Sequence, residues 1–320
     1  MNKFAILTSG GDAPGMNAAT RAAVRTGIAS GAEVIGVHRG YEGLQNADFQ
    51  PLQSHDVGAI ITQGGTMLRS ARSESFMEIS GREKAVNVMR QHAIEGLIVI
   101  GGDGSLMGAQ CMYEEFGFPV IGIPGSIDND IPMTANSIGF QTAVDTALGA
   151  IDKVRDTAYS HERVFVIEVM GRRTGFIAVE AGLAGGAEAI IIPELDFDLE
   201  KIADKLDEGR RKGKKSSIVV VAEGAMSAVD VCAFISKRMG YEARYLVLGH
   251  MQRGGSPCAY DRVLATRMGA YAAKRLMDGG GGEYICLQSS QMVHVSLKEG
   301  LSSPRPVDEE RLRLVEVMST

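Results

Sequence analysis

GLIVIGGDGSLMGAQCMYEEFG, residues 96–117, carries the fold in a single stretch. GLIVIGG (96–102) is apolar with little alternation, the pattern of a strand covered on both faces. The glycines around Asp103 break that run, and SLMGAQCMYEEFG (105–117) resumes with helical spacing. A buried strand, a glycine turn and a helix in succession form one unit of an α/β sheet.

The same order recurs on either side. Apolar runs lie at FAILTS (4–9), EVIGVH (33–38), PVIGIPG (119–125), VFVIEVMG (164–171), AIIIPE (189–194), IVVVAEG (218–224), YLVLGH (245–250) and EYICLQ (283–288). Helical spacing is read at 16–30, 142–160, 199–213 and 261–279. Strand and helix alternate, which predicts an α/β chain with mainly parallel sheets. Neither a Pro- or Ser-rich linker nor an internal repeat divides it. Ligands of such sheets bind beyond the carboxyl ends of the strands, where the conspicuous Gly, Asp and Arg residues fall.

Composition narrows the function. The chain has 320 residues, is 45% hydrophobic and carries a net charge of −6, with no long basic block. A large core is available, and a nucleic-acid partner is disfavoured. Glycine is enriched at 40 residues, about 12% against a usual ~7%. Many of these glycines sit in pairs just past apolar runs. Cys111, Cys232, Cys258 and Cys286 form no CxxC pair, so zinc and redox motifs are disfavoured and a reducing compartment fits. MNKFAILTSGGD is too short in apolar length for a signal segment or a membrane span, so it reads as a buried strand of a cytoplasmic protein.

Three turns carry chemistry. TSGGDAPGMN (8–17) follows the first strand and opens a helix, a natural anion site with Gly11 open to close approach. It is not a P-loop, because Met16 and Asn17 stand where Lys and Ser or Thr are required. In IGGDGS, Asp103 suits Mg²⁺ held between a carboxylate and phosphate oxygens; the alternative is a helix cap. In PGSIDND (124–130), an extended chain would turn Asp128 and Asp130 to one side and Asn129 to the other. Two close carboxylates need a cation or an arginine nearby, and one of them can serve as general base to a hydroxyl. Arg72, Arg172 and Arg253 lie in glycine-rich strand ends and suit phosphate. Arg163 and Arg244 precede strands and are expected at the opposite sheet edge.

TSGGDAPGMNAA, GGDGS, PGSIDND, VMGR and LGHMQRGGSP, in this order, closely resemble the bacterial ATP-dependent 6-phosphofructokinases. The likeness extends to about residue 290. It implies two Rossmann-like lobes with mainly parallel sheets and the active site in the cleft between them. Residues 1–138 with 252–302 would form the larger, ATP-binding lobe. Residues 139–251 with 303–320 would form the smaller, sugar-phosphate lobe. It implies transfer of the γ-phosphoryl of ATP to the 1-hydroxyl of fructose 6-phosphate, with Mg²⁺, in a cytoplasmic homotetramer whose active sites are shared between subunits.

By motif position Asp128 would be the base, Asp103 the Mg²⁺ ligand and Asp130 its support. Arg172, Gly11 and Arg72 would stabilise the phosphoryl. Ser126, at a position where Thr is usual, keeps the hydroxyl. Nucleotide contacts would come from Gly11, Tyr41, Arg72, Ser73, Gly102, Gly104, Ser105, Met107 and Gly108. Sugar-phosphate contacts would come from Ser126, Ile127, Asp128, Met170, Gly171, Arg172, Glu223, His250, Met251, Gln252 and Arg253. Arg163 and Arg244 would reach across from a neighbouring subunit.

Gly104 and Gly125 replace bulkier residues of pyrophosphate-using relatives, which favours ATP. An effector site for a nucleoside diphosphate or phosphoenolpyruvate would use Arg21, Arg25, Arg155, Gly186, Glu188, Lys212 and Lys214. SHDVGA (54–59) and Ser216 depart from the usual pattern there, so weakened allostery is expected. An NAD kinase shares the GGDG turn but not PGSIDND or GHMQRGG. A silent nucleotide sensor on the same scaffold would have lost Asp103, Asp128 or Arg172, and all three are present.

Overall fold

A computed structural model describes residues 1–240, 242–306 and 308–318. In chain order the elements begin with β1 (Lys3–Ser9), α1 (Met16–Ala29), β2 (Glu33–Val37), α2 (Gly40–Gln45), β3 (Phe49–Leu52), α3 (Ile79–Gln91), β4 (Gly96–Gly101), α4 (Asp103–Phe116) and β5 (Val120–Pro124). They continue with α5 (Phe140–His161), β6 (Val164–Val169), α6 (Phe176–Ala184), β7 (Ala189–Ile191), α7 (Leu199–Arg211), β8 (Ser217–Ala222), α8 (Ala228–Met239) and β9 (Ala243–Val247). The last are α9 (Ala259–Met277), β10 (Glu283–Gln288), β11 (Gln291–Ser296), α10 (Leu297–Gly300) and α11 (Glu309–Met318).

Two compact units share the chain: Met1–Gln141 with Arg253–Arg305, and Thr142–Gln252 with Pro306–Thr320. The crossings fall one to three residues later than the sequence analysis expects. The first unit holds a seven-stranded sheet in the order β11-β10-β5-β4-β1-β2-β3. Its five central strands run parallel, while β3 and β11 pair antiparallel at the two edges. Strands β4 and β5 are buried at every position, as their unbroken apolar sequence requires. The cluster around Leu7, Val99, Val120, Met89 and Met112 packs α3 and α4 on one face, each such side chain contributing about 1.5–3 kcal/mol.

The second unit has a four-stranded parallel sheet in the order β7-β8-β6-β9. Strand β8, SIVVVA, is buried throughout and packs with Val166, Leu206, Val231 and Ile235. Side-chain caps start its outer helices: Asp198 accepts from the N–H groups of Glu200 and Lys201 at α7, and Ser227 accepts from Asp230 N at α8.

All four cysteines are free thiols. Burial pushes the Cys286 thiol up to about 12 and raises that of Cys232, which makes both poor nucleophiles. Among the described residues no helix is long and apolar enough to cross a membrane.

Candidate active site

In the first unit, β5, β4 and β1 are neighbours in register: Gly101 lies opposite both Ser9 and Pro124. The three turns singled out in the sequence therefore sit side by side at one end of one sheet. Their contact is close. A Cβ on Gly101 would lie 2.5 Å from Ser9 O and 2.7 Å from Ser105 Oγ, and one on Gly102 would lie 3.9 Å from Ser126 Cβ. Small residues there let three strand ends converge.

The turn after β1 enters α1 through Gly15, which caps the helix at φ 109°. Asn17, almost fully buried, donates to Gln63 O (3.1 Å) and Gly64 O (3.2 Å) and accepts from Met67 N (2.8 Å). The residue at the Ser or Thr position of a P-loop thus ties down a neighbouring loop instead. The Arg253 guanidinium packs over Gly11 and donates to Asp12 O at 3.3 Å; a Cβ on Gly11 would lie 2.7 Å from Arg253 Nη1. Arg253 therefore belongs to the first unit, whereas Met170, Glu223 and His250, expected with it, belong to the second.

After β4 the helix cap is Gly102, and Asp103 is the first residue of α4, exposed at the positive end of its dipole. This removes the capping alternative for Asp103. Gly104 faces open space, and Met107 is 52% exposed. Tyr41 differs from expectation. It is 6% exposed, stacks on Phe76 with ring centroids 3.9 Å apart, and donates its hydroxyl to Ser105 O at 2.6 Å. Burial raises its pKa, so it stays a neutral donor. Tyr41 and Phe76 support Gly108. Ser73 Oγ donates to Gln45 Oε1 at 2.9 Å and accepts from Phe76 N, so its hydroxyl is committed to the fold. Arg72 is exposed.

The stretch after β5 corrects the extended geometry expected of PGSIDND. Ile127 and Asp128 form a turn, and Asn129 adopts left-handed backbone at φ 53°. Asn129 is turned inward, where its Oδ1 accepts from Ser137 N at 2.8 Å. A parallel bridge between Gly125 and Ile138 closes the loop at its base. Ser126 Oγ joins the two aspartates, donating to Asp130 Oδ1 (2.9 Å) and accepting from Asp128 N (3.3 Å). Asp128 is 3% exposed, a carboxylate held at the edge of the core beside glycine turns. The Ile127 side chain is fully buried and anchors the turn, leaving only backbone for a ligand.

Arg305 braces this loop, and the sequence reading did not single it out. Its Nη1 donates to Thr134 O at 2.8 Å and its Nη2 to Ala135 O at 2.7 Å. Burial lowers its pKa, and the Asp130 carboxylate opposes that shift. Arg305 thus brings a positive charge to the side of the loop that carries Asp130. The one sequence signal was an arginine fixed between two prolines, PRP at 304–306.

In the second unit β8, β6 and β9 are neighbours, and their ends carry Glu223, Arg172 and the turn containing His250. Glu223 Oε1 accepts from Arg172 N (2.9 Å) and Gly171 N (3.3 Å). Gln252, fully buried, accepts from Met170 N at 2.8 Å. Met170 and Gln252 are thus braces for the Arg172 turn, while His250 and Met251 are exposed. Arg172 itself is left-handed at φ 55°. Gly171 has φ 153°, and a Cβ there would lie 2.2 Å from Thr174 O. Backbone cannot yield as a side-chain tip does, so Gly171→Ala should destabilise the protein by about 1–3 kcal/mol. It should also displace the Arg172 turn; thermal unfolding and amide exchange at Arg172 check both.

Arg163 directly precedes β6. Arg244 lies inside β9, opposite Phe165, rather than ahead of the strand as expected. Both stand at the amino ends of adjacent strands, away from Arg172, and both pair with Glu242, at 3.3 and 2.8 Å. Of the expected effector residues, Arg155, Gly186, Glu188, Lys212 and Lys214 lie in the second unit. Arg155 donates to the carbonyls of Gly185 and Gly186, and Lys214 pairs with buried Glu188 at 2.8 Å. Lys212 pairs with Glu208 at 2.8 Å and lowers its pKa. Arg21 and Arg25 lie on α1 of the first unit, where Arg25 reaches Ser54 O at 3.4 Å.

No group of three or more His, Cys, Asp or Glu side chains converges among the described residues. The donor set fits Mg²⁺ all the same, because that ion takes one or two carboxylates and completes its shell with water and phosphate oxygens. Exposed Asp103, on a turn open toward Gly104, can provide such a carboxylate.

Parallel sheets with glycine turns, acidic residues and arginines gathered at their carboxyl ends define an α/β protein built to handle phosphorylated ligands. Residues 3–276 match the sequence profile of the phosphofructokinase family. Two curated relatives, each an ATP-dependent 6-phosphofructokinase, are 52% identical (Thermotoga neapolitana) and 51% identical (Bacillus pumilus) over 319 residues, all of both chains. Phosphofructokinase from Saccharomyces cerevisiae superposes with a TM-score of 0.90 at 33% identity, covering 100% of this chain and 47% of the yeast chain. A pyrophosphate-dependent phosphofructokinase from Marinobacter aquaeolei shares the fold, with a TM-score of 0.87 at 22% identity over 100% of this chain and 91% of its own. The chain belongs to the phosphofructokinase family.

Proposed function

We propose that this chain transfers the γ-phosphoryl group of ATP to the 1-hydroxyl of fructose 6-phosphate, yielding fructose 1,6-bisphosphate and ADP. The observation that carries this reading is full-length identity of about half with enzymes of that named activity. The adjacent turns after β1, β4 and β5 supply a physical basis for it.

Phosphoryl transfer asks for alignment and positive charge more than for covalent chemistry. Asp128 takes the proton of the attacking hydroxyl. Its turn is held by Ser126 and Asn129, so little reorganisation is needed when the hydroxyl arrives. The backbone at Gly11 and the guanidinium of Arg172 offset charge on the transferring group, with Arg72 as a further cation. Asp103 would hold Mg²⁺, which when bound would neutralise phosphate charge. The open space at Gly104 suits a nucleoside donor. A side chain at Gly125 would need Met16 Cε, 2.9 Å from its Cβ position, to move. The first unit is assigned to the nucleotide, and the Arg172 end of the second sheet to the sugar phosphate.

Arg163 and Arg244 are assigned to the 6-phosphate in a neighbouring subunit's site, within a cytoplasmic homotetramer. Their place at the amino ends of β6 and β9, opposite Arg172, supports that assignment. The Arg155, Glu188 and Lys214 cluster is assigned to a phosphorylated effector, with weakened response.

Product analysis tests the reading. Purified protein with Mg²⁺ is given fructose 6-phosphate with ATP or pyrophosphate, and separately ATP with NAD. Stoichiometric ADP and fructose 1,6-bisphosphate from the first pair alone is expected. Transfer only from pyrophosphate, or only to NAD, contradicts it.

A further inference from the structure

The loop that carries Asp128 and Asp130 continues through residues 131–137 before closing at Ile138. Four successive carbonyls in that return segment are all satisfied from distant sequence. Tyr284 donates its hydroxyl to Pro132 O (3.0 Å), and Gln288 Nε2 donates to Met133 O (2.8 Å). Arg305 takes the remaining two, at Thr134 and Ala135. Pro132 and Thr134 are buried, where carbonyls demand partners, and β10 supplies Tyr284 and Gln288 from a rigid strand. Arg305 is different. It is a full charge, partly withdrawn from water, where a neutral donor would have sufficed for the carbonyls alone. The carboxylate that acts on it is Asp130, which in turn accepts from Ser126 Oγ, the atom that receives the N–H of Asp128. The backbone of Arg305 is restrained by Pro304 and Pro306.

We propose that Arg305 is a positioning residue for phosphoryl transfer: by holding the Thr134 and Ala135 carbonyls on the return segment of the loop, it keeps the Ser126–Asp130 turn in the geometry that presents Asp128. The proposal rests on the functional reading above. Arg305 is assigned no contact with nucleotide or sugar; it acts through the loop that carries Asp128 and Asp130.

The test is a double-mutant cycle on the full chain with Arg305→Gln, Arg305→Lys, Asp130→Asn and the combined Arg305→Gln/Asp130→Asn. Arg305→Gln should lower kcat about ten-fold, the scale of coupling within one hydrogen-bond network, with KM for both substrates changed by less than about two-fold. Arg305→Lys should recover most of that loss. The combined variant should be no slower than Asp130→Asn alone. Losses that multiply in the combined variant, or a wild-type kcat in Arg305→Gln, overturn the proposal. Should Arg305→Gln fail to fold, Arg305→Lys decides by amide exchange, because an ammonium cannot hold both carbonyls as the planar fork does: faster exchange at Ala135 and Ser137 supports the clamp, and wild-type protection overturns it. Amide exchange provides an arm independent of activity. In Arg305→Gln the amides of Ala135 and Ser137 should exchange faster, and unchanged protection overturns the clamp. If the wild-type chain fails to phosphorylate fructose 6-phosphate, the functional reading falls while exchange still decides the clamp.

Discussion

Asp128→Ser is expected to lower kcat by at least about 10²-fold, the scale of removing a positioned general base, while both KM values stay near wild type. Asp128 is a nearly buried carboxylate on a turn fixed by Ser126, Asn129 and the Gly125–Ile138 bridge. The substitution removes the proposed proton acceptor and leaves that frame in place, because the frame uses the backbone N–H of Asp128. Serine is smaller and uncharged, so it also relieves the crowding of two carboxylates; the folded state should lose little stability. Steady-state kinetics with a thermal unfolding control separate the two effects. Near-normal turnover in a folded variant would remove Asp128 from the reaction.

Arg172→Gly should separate chemistry from folding in the same way from the second unit. Arg172 occupies left-handed backbone at φ 55°, where a residue with a Cβ is strained by about 1–2 kcal/mol. Glycine relieves that strain but gains freedom in the unfolded chain, so the net change in stability should stay within about 1 kcal/mol. The backbone N–H still bonds Glu223. Activity should nevertheless fall about 10²–10³-fold, the usual consequence of deleting one group that stabilises transition-state charge. Arg172→Lys should land between, since an ammonium lacks the planar fork. A stable glycine variant with wild-type kcat would mean that Arg172 serves the backbone turn alone.

Much of the architecture was readable because its central strands are unusually apolar. β1, β4, β5, β6 and β8 are buried over nearly their whole length, and such runs announce themselves. The edge strands did not. β3 reads FQPL, with a proline that only an edge tolerates. β11 reads QMVHVS and is joined to β10 by Ser289 and Ser290, both at positive φ, where glycine or asparagine would have marked the turn. Helix α6, FIAVEAGLA, is apolar nearly all round and has no helical stripe to detect. Helix α8 could have been found from its Ser227 cap.

The candidate site was legible where chemistry and chain direction coincide, in turns that follow strands. Asp103, Asp128 and Gly11 emerge from three adjacent strands, so proximity in space followed from topology. What sequence cannot convey is tertiary convergence. Arg305 acts on carbonyls some 170 residues away, and Tyr41 and Gln252 turn inward to brace turns rather than outward to meet ligands. Alternation reasoning also failed at Asn129, because a single left-handed residue converts an extended segment into a turn.

A crystal structure of the chain with Mg²⁺, ADP and fructose 1,6-bisphosphate tests the account most directly. The expected result is ADP phosphates lying along the turns after β1 and β4, with the oxygen on C1 of the sugar within hydrogen-bond reach of the Asp128 carboxylate, about 2.6–3.2 Å. A product whose C1 oxygen faces a different acid, or phosphates bound away from the ends of β1, β4 and β5, would contradict it.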